Sequence, residues 1–104
     1  MEQKQLIGQA TPEQIAEWKA KHGEVYAYEV DGKVCYMRAV DRNTYSLAAS
    51  KVTSAGPAKY NEVVIDNVWL GGCEDIRKED GYWFGLIEFL EELLAKKKGT
   101  LSKL

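Results

Sequence analysis

"EVYAYEVDGKVCYMRAV", residues 24–40, decides the fold. Two runs rich in β-branched and aromatic residues flank Asp31-Gly32, and Asp-Gly between such runs is the pattern of a two-residue hairpin turn. With Asp31 and Gly32 as the loop, Val30 pairs with Lys33 and Tyr28 with Cys35. Tyr26, Tyr28, Val30, Cys35 and Met37 then share one face. Val25, Ala27, Val34 and Tyr36 share the other, with Glu29 and Arg38. Neither face is wholly polar, and a lone hairpin is marginal in water, so helices or another chain must cover it. Its outer edges also offer unpaired backbone groups.

The segments on either side read as helices. Residues 1–10 form a flexible leader ahead of a single globular domain over 11–104. Thr11 is a good N-cap, Pro12 suits the first helical position, and Gln14 completes a capping box. Ile15 and Trp18 share a face of this helix, and Gly23 ends it. After the hairpin, Asp41 caps a helix whose weak apolar stripe is Tyr45, Ala48, Ala49 and Val52. Gly56-Pro57 breaks the chain and opens another helix, with Tyr60, Val63, Val64 and Val68 on one face. Val63-Val64-Ile65 is β-branched, so a strand is the alternative there. Gly71-Gly72 follows where the apolar pattern stops, and the pattern predicts a helix C-cap followed by a connector, with Ile76 folding back onto the core.

The strongest periodicity lies over residues 79–98, read as one long helix ended by Gly99. Trp83, Ile87, Leu90 and Leu94 form one row, and Tyr82, Leu86, Phe89 and Leu93 form a second row beside it. The combined arc is wider than one core face needs. The second row either packs under the hairpin or presents a surface to a partner. Glu88, Glu91 and Glu92 mark the solvent side, and Lys96, Lys97 and Lys98 complement the helix dipole at its end.

Composition narrows the function. The chain has 104 residues, 45% hydrophobic and 29% charged, as in an ordinary single globular domain. A net charge of −2 and a single basic run argue against a nucleic-acid binder. No stretch approaches the roughly 18 apolar residues of a membrane span, and residues 1–10 lack a signal-peptide core, so the expected setting is the reducing cytoplasm. The lone His22 sits in a helix's last turn, and Cys35 and Cys73 have no zinc spacing. Glu74 and Asp75 beside Cys73 oppose a reactive thiolate, so a cysteine-dependent enzyme is the least favoured reading. The expectation is no catalytic residue, no cofactor and no metal.

Several stretches together carry a resemblance. "KVCYMRAVDRNTYSLAAS" is a strand with Tyr36 and Arg38 followed by Asp41-Arg42 opening a helix. "KYNEVVIDNVWLGG" sets Asn61-Glu62 before Asn67 and a terminal Trp-Leu-Gly-Gly, then come an acidic connector, a Leu-rich helix and a Lys-rich end. This order resembles small phage and prophage proteins of gut Bacteroidales similar in layout to tail assembly chaperones. The resemblance implies a non-enzymatic role in virion assembly, binding a tape-measure-type protein and keeping its apolar helices soluble. The expectation is an α+β fold: an N-terminal helix, a β-hairpin, then three helices on the small antiparallel sheet. Tyr82, Leu86, Phe89 and Leu93 are the expected partner-binding residues. A homo-oligomeric regulatory or structural binding protein is the alternative.

Overall fold

Asp31 and Gly32 both take positive φ, 49° and 74°, which is the mirror-image turn that matches strand twist. The computed structural model, which describes residues 5–94 and 96–104 and the side chains of all of these but residues 53–55, builds outward from that turn. It joins strands β1 (Val25–Val30) and β2 (Lys33–Arg38) in the expected register, Val30 opposite Lys33 and Tyr28 opposite Cys35. Helix α1 (Pro12–His22) precedes them, held at its start by the Thr11–Gln14 capping box. Helices α2 (Arg42–Ala55) and α3 (Pro57–Val68) pack against each other. Val63-Val64-Ile65 is helical, because Val64, Ile65 and Val68 lie buried on one side of α3. The class is α+β, as expected.

The connector reading of residues 69–72 needs correction. Trp69–Gly72 is a third strand, β3, antiparallel to β2 with Cys35 opposite Gly72 and Tyr36 opposite Gly71. Gly71 is therefore no helix cap. It lies under the Trp18 ring, where an added Cβ would come within 3.2 Å of the indole. Gly72 is the demanding position: its φ is 120°, and a Cβ there would meet Cys35 Cα at 2.5 Å and the Val34 carbonyl oxygen at 2.6 Å. Glycine lets two backbones approach where any side chain would force them apart.

β2 thus becomes the central strand, and its interior residues Val34, Cys35, Tyr36 and Met37 are all buried. One face of the sheet carries Cys35 and Met37 into a core with Val64, Ile65, Val68, Ile76 and Leu86. On the other face Tyr36 packs on Trp18 of α1, ring centroids 5.4 Å apart. Of the leader, residues 1–4 lie outside the described residues. Residues 5–10 are tied to the sheet: Ile7 N–H donates to the Gly32 carbonyl at 2.9 Å, Val34 N–H donates to the Ile7 carbonyl at 3.0 Å, and Ala10 N–H donates to the Tyr36 hydroxyl at 3.1 Å.

Arg38, at the end of β2, locks the helical hairpin to the sheet. Its guanidinium donates to the Ala39 carbonyl at 3.0 Å, to the Thr44 hydroxyl at 3.2 Å and to the Asn67 carbonyl at 3.0 Å. Asp41 caps α2 by accepting from Thr44 N–H at 2.7 Å. That hydrogen bond, first, and the Thr44 hydroxyl, second, hold the Asp41 carboxyl below its ordinary pKa.

The single long helix expected over 79–98 is instead two short elements, a helix and a 3₁₀ segment, with a one-turn helix just before them. Helix α4 (Asp75–Lys78) and helix α5 (Asp80–Ile87) meet at Glu79, whose backbone is extended at φ −87° and ψ 129°. A 3₁₀ segment follows over Leu90–Leu94. Position 95 of the expected helix lies outside the described residues. Residues 96–104 form no helix or strand and are exposed, so Lys96, Lys97 and Lys98 do not cap a helix and Gly99 does not end one. The helix runs intact through Gly81 and Gly85 and ends after Ile87, where Phe89 N–H turns to the Leu86 carbonyl three residues back. The 3₁₀ segment aligns residues three apart, and it buries Leu90 and Leu93 together.

These placements predict opposite effects at two glycines. Gly72→Ala should lower stability in chemical denaturation by on the order of 1–3 kcal/mol, through strained φ and backbone crowding. Gly81→Ala, in the first turn of α5 with nothing near its Cβ, should raise stability by about 0.4–1 kcal/mol.

Candidate functional site: an apolar groove beside the edge strand

β1 is an edge strand, and its outer side has no partner strand among the described residues. Tyr26, Tyr28 and Val30 pair with β2 in the hydrogen-bonded positions set by the tight turn. The backbone groups of Val25, Ala27 and Glu29 therefore point outward. A groove of about 330 Å³ runs along this edge. Tyr26, Ala27, Tyr28 and Glu29 line it on the strand side, and Leu86, Phe89, Glu92 and Leu93 on the other, with Met37 between them.

The break between α5 and the 3₁₀ segment creates the second wall. Phe89 N–H donates to the Leu86 carbonyl at 3.0 Å and Glu92 N–H to the Phe89 carbonyl at 3.1 Å, both three residues back. This tightening turns Leu90 and Leu93 inward and leaves Phe89 outside, at 45% exposure. The Phe89 ring still touches Tyr28, centroids 5.6 Å apart and inclined at 52°. The Tyr28 hydroxyl reaches α5 at Gly85, where an added Cβ would lie 3.0 Å from it.

Acids fringe the groove. Glu29 and Glu92 line it, and Tyr26 donates its hydroxyl proton to Glu24 at 2.7 Å. That hydrogen bond, before partial burial, raises the Tyr26 pKa. Burial is the first cause of the raised Tyr28 pKa, followed by the nearby Cys35, Glu88 and Asp31.

The four expected partner-binding residues divide. Leu86, Phe89 and Leu93 line the groove together, but Leu86 is 0% and Leu93 4% exposed. Both belong to the chain's own core, so Phe89 is the member of that row left on the surface of the groove. Tyr82 lies half-buried elsewhere, with the Lys33 ammonium 5.2 Å from its ring centroid. Sequence reasoning missed Tyr26, Tyr28 and Met37 as groove residues. It placed them on one hairpin face, but nothing in the spacing set that face against residue 89.

Chemistry elsewhere is sparse. Cys35 and Cys73 are free and buried; Cys73, just past the end of β3, donates its N–H to the Val34 carbonyl at 2.9 Å. Burial pushes the Cys35 thiol up to about 12. Among the described residues no group of three or more His, Cys, Asp or Glu is placed to hold a metal ion. No helix among them is long and apolar enough to cross a membrane. No protein-family model matches the chain, and no curated protein or solved structure matches it.

The thiol geometry has a measurable consequence. Cys35 should resist iodoacetamide in the native protein through pH 10 and label rapidly once the chain is unfolded, because the thiolate is the nucleophile. The sign of the linkage follows: a thiol raised from 9.0 to about 12 stabilises the fold fully below pH 9, and that contribution is lost as pH rises towards 12. Fast labelling of folded protein at neutral pH would contradict this.

Proposed function

We propose that the protein is a non-enzymatic binding protein, similar in role to a phage or prophage tail-assembly chaperone. It takes apolar side chains of a helical partner into the groove between β1 and Phe89. The observation that carries this reading is a large aromatic held half-exposed over an apolar, acid-fringed hollow. Aromatic anchors in such hollows supply a disproportionate share of binding energy. The partner of best fit is a long, apolar, helix-forming protein of the tape-measure type, bound in the cytoplasm of a bacterial host before it is built into a virion. An amphipathic helix offers side chains at i, i+3 and i+4, and a groove with one aromatic wall accepts such a row.

The test is binding of a soluble apolar helical peptide from a tape-measure-type protein, followed by titration calorimetry. Phe89→Asp should weaken binding at least about tenfold, since a central aromatic anchor is worth more than 1 kcal/mol. The circular dichroism spectrum and unfolding midpoint should change little, because Phe89 is half-exposed. Unchanged affinity in a folded Phe89→Asp variant would overturn the assignment of the groove.

A further inference from the structure

Residues 96–104 follow the 3₁₀ segment, and only Lys96 among them lines a hollow of the chain. Every residue in this run is exposed, and Leu101 and Leu104 completely so. The run "KKKGTLSKL" holds Lys96, Lys97, Lys98 and Lys103 and no acid. Its two leucines are three residues apart; the run is not helical, and a single helical turn formed on docking would bring both to one side. A helical partner would offer the groove the same pair.

The groove has the matching character. Its lining is apolar apart from Glu29 and Glu92. Glu24 sits on the Tyr26 hydroxyl at its mouth, and Glu88 and Asp31 lie near Tyr28. Among the described residues no lysine or arginine lines it. A cationic segment with two exposed leucines meets an acidic rim around an apolar hollow.

We infer that residues 96–104 of a second copy of this chain dock in the groove, Leu101 and Leu104 against Phe89 and Tyr28, with the lysines towards Glu29 and Glu92. This rests on the reading of the groove as a binding site, and adds that the chain supplies its own competitor for it.

Two other occupants fit less well. Pairing β1 with β1 of a second copy, Val25 opposite Val30, would set Glu24 against Asp31, and like charges directly opposed destabilise a strand pair. The chain's own segment starts towards a different hollow, where Lys96 joins Tyr45, Tyr60, Leu90 and Leu94. A groove on one copy filled by a segment of the next is a head-to-tail contact, so it extends to further copies unless it closes into a ring.

Sedimentation velocity of the full chain over a wide concentration range tests this. The average mass should rise with concentration and fall back as salt screens the lysine–glutamate attraction. The Leu101→Asp/Leu104→Asp variant, altered only at fully exposed positions, should remain monomeric at every concentration. Glu29→Lys/Glu92→Lys should also remain monomeric, and adding Lys97→Glu/Lys98→Glu to it should restore association. A wild-type chain that is monomeric throughout, or association that survives the leucine substitutions, would overturn the inference. The two readings fail separately. A monomeric chain that binds the helical peptide through Phe89 overturns only self-docking, and a chain that associates through its segment but ignores the peptide overturns only the proposed function.

Discussion

The approach of Gly72 to the backbone of Cys35 is the constraint on which the rest of this structure depends. It brings β3 against β2 and converts a two-stranded hairpin into a sheet with a covered central strand. Once β2 is central, its alternating side chains serve two layers. Cys35 and Met37 enter the main core, and Tyr36 meets Trp18 on the reverse face. The turn out of β3 then carries Ile76 into that core and sends α4 and α5 back across the sheet. A larger residue at position 72 would press on strand backbone, which yields far less readily than the tip of a flexible side chain.

The groove is a by-product of how the last segment breaks. A continuous helix would have kept Phe89 in line with Leu86 and Leu93 and buried all three together. The 3₁₀ tightening buries the two leucines and turns the phenylalanine outward, beside an edge strand whose own aromatic residues complete the hollow. The core and the groove therefore draw on the same stretch of sequence, Leu86 and Leu93 serving the core and Phe89 the surface. The acidic fringe comes from both walls, Glu29 on β1 and Glu92 on the 3₁₀ segment.

Local signals in the sequence carried much of the fold. Asp31-Gly32 specified the turn and with it the strand register, and the Thr11 capping box and Asp41 marked two helix starts. These signals act over a few residues, so they are legible without knowing what packs where. The third strand was not legible, because Gly71-Gly72 satisfies two local rules equally: a glycine that ends a helix and a glycine that admits a neighbouring backbone. Only the tertiary contact with Cys35 separates them. The long helix over 79–98 was misread for a related reason. Its apolar spacing continues unbroken across Glu79 and across residues 88–89, where the backbone leaves the helix, so periodicity alone does not register the breaks. Of the row Tyr82, Leu86, Phe89 and Leu93, the last three line the groove, but β1 as the opposing wall is a contact far away in sequence.

Amide hydrogen exchange of the full chain, with and without an apolar helical peptide, tests the central claim most directly, because it reads where binding occurs without altering any residue. If the groove is the binding site, exchange slows at the outward amides of Ala27 and Glu29 and across residues 86–93, and stays unchanged in α2. Protection confined to α1 or to the α2–α3 hairpin, or no protection at any peptide concentration, would contradict the assignment of the groove.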